Sequence, residues 1–430
     1  FDYAEQIAAS LLLDTSSEPA ELLKAQIHFG QGQAALPAET QLLLTGSIEE
    51  INFDAWRRLL VSEGNPPAAN KTAGLNKRLK TADAHKKFPL PIQLSLSKLV
   101  LPELFKDESA TAVKAETQAQ ASVQEQSFID PADIPTINGS IKQLYIADAL
   151  LGQAEIKSVR LKNSIHFKQL ALTGSLLDFK GNAIWNQWKE EPKFDMQGQL
   201  HIPSLENALK TFGFADFVQG TEARLSGGFG WPGGPLDFNR EKVNGQINID
   251  LREGLLLSSK KGGAGRLLGI LNLLNMNEIF RRITLDFSDV SKQGLEFNSI
   301  TGDFSLSDGD AVTQNYVLIA PSLILVNSGR LGLLKRDIDM SIIAIPNVSG
   351  TLPIAGAAVA GPAGAAVVWI GQKILGDKIN RITALHYKAT GSWDKPKIEK
   401  QPLTANALKR ISKISGYDKL IEIRDGFMEN

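Results

Sequence analysis

The glycine-rich turn Gly263-Ala-Gly265-Arg-Leu-Leu-Gly269 is the segment of this 430-residue chain best placed to do chemistry. It follows a predicted strand, opens a predicted helix and has Asp286 at the end of the next strand. A dinucleotide-binding βαβ unit has the same outline, with backbone N–H groups at the helix start holding a pyrophosphate. Here the spacing is one residue too long for G-x-G-x-x-G, and no further βαβ units follow. A close-packed strand-to-helix turn accounts for it better. The five histidines (His28, His85, His166, His201 and His386) are scattered, and none has a partner at metal-ligand spacing. Cysteine is absent, which excludes thiolate metal sites, thiol nucleophiles and disulfides. No serine stands in G-x-S-x-G and there is no P-loop. The acid pairs Glu49-Glu50 and Glu190-Glu191 sit at predicted turns, where carboxylates are ordinarily solvated. Arg281-Arg282 closes a predicted helix, where positive charge complements the C-terminal dipole. The expectation is a protein that is not an enzyme, with no catalytic, cofactor-binding or metal-binding residue.

The elements around these residues are mostly strands. A glycine, one polar or small residue and a large apolar residue open an alternating run nine times: Gly46-Ser-Ile48, Gly139-Ser-Ile141, Gly174-Ser-Leu176, Gly198-Gln-Leu200, Gly227-Gly-Phe229, Gly245-Gln-Ile247, Gly302-Asp-Phe304, Gly329-Arg-Leu331 and Gly391-Ser-Trp393. Glycine tolerates turn and bulge geometry, and the period-2 pattern behind it marks a strand with one buried face. Spacings of 8–12 residues with turn signals between them predict an antiparallel meander. The fold expected is mainly β with a few helices: an elongated, twisted, repeating sheet with helices near the C-terminal end. With 43% hydrophobic and 22% charged residues the chain can bury a large core. A net charge of −1 removes the electrostatic case for nucleic acid.

Four regions are expected. Residues 1–105 form an incoming β-segment, with a short helix behind Asp54 and an exposed loop over 62–87. Residues 106–135 are a polar, low-complexity linker. Residues 136–400 carry the main β-region, which includes a short helix at Leu205–Phe212, a very apolar helix over 266–282 and an uncharged apolar segment over 351–375. Residues 401–430 are a charged, partly amphipathic tail. Within the apolar segment, Thr351–Gly371 is long enough to span a bilayer but rich in Ala and Gly, so close packing on the sheet is favoured over spanning. The chain begins at Phe1, and any N-terminal anchor is expected to lie outside it.

A one-sided apolar sheet must bury that face by closing as a barrel, by pairing as a sandwich or by holding acyl chains in a trough. At about 0.8 kcal/mol per buried methylene, acyl chains are an adequate filler. The stretch Gly245–Val290 resembles the signature region of the YhdP-like, AsmA-like family of Gram-negative envelope proteins. The resemblance continues through Gly302-Asp-Phe304, Ala320-Pro-Ser322, Gly329-Arg-Leu331, Leu352-Pro-Ile354, Gly361-Pro-Ala363-Gly364 and Tyr387–Pro396, and upstream through Gly228-Phe-Gly-Trp231-Pro-Gly. As an ordered series it covers residues 180–400.

The resemblance implies a trough: a repeating β-groove carrying phospholipid between the inner and outer membranes, supporting the outer-membrane permeability barrier and lipid homeostasis. It implies a periplasmic location with an inner-membrane anchor, phospholipids and both membranes as partners, envelope proteins as further candidates, and no cofactor. The alternating positions Ile247, Ile249, Leu251, Leu285, Phe287, Phe304, Leu306, Leu318, Leu323, Leu325, Leu331 and Leu333 are the candidate lining. The rival reading is an assembly factor or chaperone for outer-membrane proteins that works through sheet edges.

Overall fold

A computed structural model describes residues 6–16, 21–49, 90–102, 131, 134–188, 191–213, 218–235, 237–239, 241–257, 294–321, 323–346, 384–393, 396–404 and 407. Several expectations lie outside these residues: the helix behind Asp54, the loop 62–87, most of 106–135, the glycine turn at Gly263–Gly269, the helix 266–282, the segment 351–375 and the tail beyond 407. Among the described residues, eighteen strands form one mixed, open sheet. The chain divides into two compact units, residues 1–198 with 230–239 and residues 199–229 with 240–430.

In the first unit the strands are β1 (Ile7–Asp14), β2 (Glu21–Phe29), β3 (Leu42–Ile48), β4 (Ile92–Leu101), β5 (Ile137–Ile146), β6 (Ala149–Leu161), β7 (Ser164–Thr173) and β8 (Asp178–Trp188). Each pairs with the next. β1–β2 and β5 through β8 are antiparallel, as the meander pattern predicts. β2–β3, β3–β4 and β4–β5 are parallel instead. A parallel neighbour needs a crossover of a dozen or more residues, because the chain must return to the same end of the sheet. The connections 30–41, 49–91 and 102–136 supply that length. Gln26 and His28 fix the first return: Gln26 Nε2 and His28 Nδ1 both meet Thr45 Oγ1, at 3.0 and 2.9 Å, and Ala35 N donates to Gln26 Oε1 at 3.1 Å.

Two opener glycines show why that residue type recurs. Gly46 and Gly139 have φ of +93° and +140°. At each, a Cβ would collide with the carbonyl oxygen of the paired residue, Phe29 at Gly46 and Leu94 at Gly139. Strand and neighbour approach there too closely for any side chain. Gly139→Ala is expected to cost roughly 2–4 kcal/mol, from the unfavourable φ plus the collision. Calorimetric melting checks this; an unchanged melting temperature would show that the close approach relaxes freely.

Strands β9 (Glu191–Ile202) and β11 (Glu222–Pro232) contribute residues to both units. Between them lie α1 (Leu205–Thr211) and β10 (Val218–Gln219). Ser204 caps α1 by accepting from Asn207 N at 3.3 Å, and Leu205, Ala208 and Leu209 form its buried face.

The second unit continues with β12 (Asn244–Leu257), β13 (Gly294–Ser307), β14 (Asp310–Ile319), β15 (Leu323–Gly332), β16 (Asp337–Pro346), β17 (Leu385–Ser392) and β18 (Lys397–Gln401), all antiparallel in sequence order. Arg330 clasps three of them, donating to Asp310 of β14 at 2.9 Å and to Asp337 of β16 at 2.7 Å. The hydrogen bond from Arg330 holds the Asp337 carboxyl below the usual carboxylate range. A depressed carboxylate stabilises the fold above its ordinary pKa and ceases to do so as pH falls through the lowered value. An acid melt should therefore show the second unit losing some stability below about pH 4, and Arg330→Met should reduce that pH dependence.

Candidate functional site: rows of apolar side chains across the strands

Among the described residues the four histidines are engaged structurally. His28 joins Thr45 and the Gln31 carbonyl, His166 meets Ser164 Oγ at 3.1 Å, and His201 lies 3.4 Å from Glu222. His386 meets Ser341 Oγ at 2.9 Å and the Pro402 carbonyl at 3.1 Å, and so ties the segment after β18 back to β16 and β17. Among the described residues no three His, Cys, Asp or Glu side chains are grouped to hold a metal ion.

The ordered feature is the pairing register. Directly opposed residues in neighbouring strands share a face, so the ladders can be read as rows running across them. In the first unit one row is Ala9, Ile27, Leu44, Leu94, Gly139, Ile156, Leu170 and Gly181, from β1 to β8. A second, on the same face, is Ile7, Phe29, Gly46, Leu96, Ile141, Ala154, Leu172 and Phe179. Both rows are apolar or glycine throughout. Rows of the opposite face run Ser10, Gln26, Leu43, Gln93, Asn138, Lys157, Gln169 and Ala8, His28, Thr45, Ser95, Ser140, Glu155, Ala171, Lys180.

Burial separates the two apolar rows into a floor and an open part. Phe29, Leu96 and Ile141 are buried with Ile48 in one cluster. Ile27, Leu44, Leu94, Ile156, Leu170, Leu172 and Phe179 are only half-buried, and Ile7 at the β1 end is 47% exposed. Seven strand spacings of 4.7–4.9 Å make each row about 33 Å long. On the polar side a concavity of about 710 Å³ is lined by Gln93, Asn138, Ser140, Glu155, Lys157 and Lys168. Val159 and Gly139 line it as well, so polar side chains there stand beside apolar surface.

The candidate positions read from the sequence fall in the second unit. Ile247 opposes Phe304, Ile249 opposes Gly302, and Leu251 heads a row through Ile300, Leu318, Leu325 and Ala344. Leu306, Ala311, Leu331 and Ile338 form another row on that face, and Leu323 shares it through β15. The parity of β14 changes at the register shift between Thr313 and Tyr316, which keeps Ala311 and Leu318 together. Leu333 lies in the turn after β15 and donates its N–H to the Gly309 carbonyl at 2.8 Å. Leu285 and Phe287 lie outside the described residues. Unlike the first unit's rows, these are dry: Leu318, Leu323 and Leu325 are 0% exposed. Polar groups in this face are buried with them. Asn327 donates to the Tyr316 carbonyl at 3.1 Å, and burial pushes the Tyr316 phenol well above its ordinary pKa.

Sequence reasoning thus placed nine candidates on one face, yet it passed over the half-open rows of the first unit. The signal was there: Leu94 and Leu96 alternate with Gln93 and Ser95, and Ile27 and Phe29 with Gln26 and His28. Adding up those patterns across strands required the register.

No solved structure matches this chain. Over 234 residues it is 26% identical to the intermembrane phospholipid transporter YhdP of Escherichia coli (strain K12); the match covers 53% of this chain and 18% of that protein. The chain therefore spans under a fifth of that relative. The profile of the YhdP protein family follows residues 75–398, from before β4 to β18 and so without β1 to β3, and the chain belongs to that family.

Proposed function

We propose that the chain is a segment of a passive phospholipid conduit between the inner and outer membranes of a Gram-negative envelope. Acyl chains lie along the two half-open rows of the first unit, with headgroups in water. The observation that carries this reading is the eight-strand continuity of those rows opposite a polar face. A length of about 33 Å is roughly twice the acyl layer of one bilayer leaflet, half of a hydrocarbon core of about 30 Å. A chain can therefore slide from rung to rung without leaving apolar contact. The similarity to an intermembrane phospholipid transporter supports the same cargo.

The face of Leu251, Phe304, Leu318 and Leu325 is proposed as the second unit's counterpart, where lipid takes the place of the present cover. The rows are a surface for passage and need no catalytic group, so the proposal is a non-enzyme. A periplasmic setting with an inner-membrane anchor outside this chain belongs to the same proposal. Among the described residues no helix is long and apolar enough to cross a membrane.

Native mass spectrometry of the chain purified from an envelope fraction should show bound phospholipid. A photo-crosslinker at Leu44 should give acyl products. Peptide products there, with no lipid in the spectrum, would instead establish the chaperone reading.

A further inference from the structure

Among the described residues, Trp185 carries a buried hydrogen-bond donor that no protein atom accepts: its indole Nε1–H. The side chain is 5% exposed. Two other indoles behave differently, Trp231 donating to the Gly234 carbonyl at 2.8 Å and Trp393 to the Asp337 carbonyl at 2.7 Å. Buried donors are almost always paired, and an orphan one asks for an explanation.

Trp185 lies on the apolar face of the first unit. It follows Phe179, Gly181 and Ala183 at alternate positions of β8 and opposes Ile165 of β7. Its ring cannot turn away to find an acceptor. The loop after Trp231 is pinned over it, with Gly233 N donating to the Pro192 carbonyl at 2.7 Å and Gly234 N to Asp237 Oδ2 at 2.8 Å. Gly234 sits so close that a Cβ there would come within 2.6 Å of Trp185 Cζ2. Around it are aromatic rings: Phe167, one pair away, stands 6.3 Å from Phe194, and Phe194 4.8 Å from Trp231.

We propose that Trp185 Nε1–H is an anchor for the ester carbonyl of a diacyl phospholipid whose chain lies along the neighbouring rows. This rests on the conduit reading above and adds a fixed contact to it. A neutral carbonyl suits the site better than a phosphate, since an anion in an apolar, aromatic surround needs a cation beside it. The cation in this row, Arg160 opposite Ile165, stands two strands away on β6, about 10 Å across the sheet, and donates Nη1 to the Ile134 carbonyl at 2.9 Å. An ester lies at the boundary between acyl chain and headgroup, so an N–H beside the apolar rows meets it without burying charge.

The test uses the delipidated chain with 15N-labelled indoles, the Trp185 signal being the one absent from Trp185→Phe. It is loaded either with dioleoyl phosphatidylglycerol or with the dialkyl-ether lipid of the same headgroup. The Trp185 Nε1–H resonance should move downfield with the diester and stay in place with the bound ether lipid. Trp185→Phe should bind the diester about three- to tenfold more weakly and the ether lipid unchanged. Equal movement with both lipids overturns the ester assignment in favour of the headgroup. No movement with either bound lipid overturns the anchor and leaves a water as the acceptor. Binding of neither lipid overturns the conduit reading and this site with it.

Discussion

Leu94→Asp is expected to empty the chain of phospholipid while leaving its sheet folded. Leu94 stands mid-row between Leu44 and Gly139 and is half-buried, so a carboxylate there reaches water when no lipid is present. Its penalty falls on the loaded state. Placing Asp against hydrocarbon costs about 2.5–3.5 kcal/mol by membrane-insertion scales, roughly a hundredfold in affinity at 1.4 kcal/mol per tenfold. The loss of leucine burial adds to this. The matched control is the next residue: Ser95 is exposed on the polar face, in the row of Thr45 and Ser140. Ser95→Asp adds the same charge within one residue of the same strand and should leave lipid content unchanged. Lipid per chain by native mass spectrometry, with circular dichroism for the fold, decides it. A folded Leu94→Asp chain that keeps its lipid removes this row from the path.

The contrast between Leu94 and Ser95 marks what the amino-acid pattern can and cannot convey. Alternation along β4 tells which residues share a face, and the glycine openers tell where strands begin, because both are local properties. The common face of Ile247, Leu251, Phe304 and Leu325 was legible for the same reason. Whether a face is dry or half-open is set by what the chain lays over it, and period-2 patterning is the same in both cases. The parallel run from β2 to β5 was hidden because its returns, 49–91 and 102–136, are polar stretches that carry no strand pattern. Trp185 was overlooked because an orphan donor is defined by the atoms around it. In the sequence it is one more aromatic at an apolar position of β8.

Leu325→Asp is expected to unfold the second unit, the largest effect of any single change considered. Leu325 is 0% exposed and paired on both sides with residues equally buried, Leu318 and Ala344. Removing a buried leucine costs about 2–5 kcal/mol, and the desolvated carboxylate adds several more unless it takes up a proton. The sum is comparable with the 5–15 kcal/mol that holds a typical domain together. Leu325→Met, which keeps volume and polarity, should cost less than about 1.5 kcal/mol and serves as the control. Thermal melting followed by far-UV circular dichroism reads both. Leu325 and Leu94 occupy equivalent places in their rows and differ in cover. A charge on an open row acts on the lipid; a charge on a sealed row acts on the fold. A Leu325→Asp chain that melts like wild type but has lost its lipid would mean that the second unit's row stands open even without lipid, as the first's does.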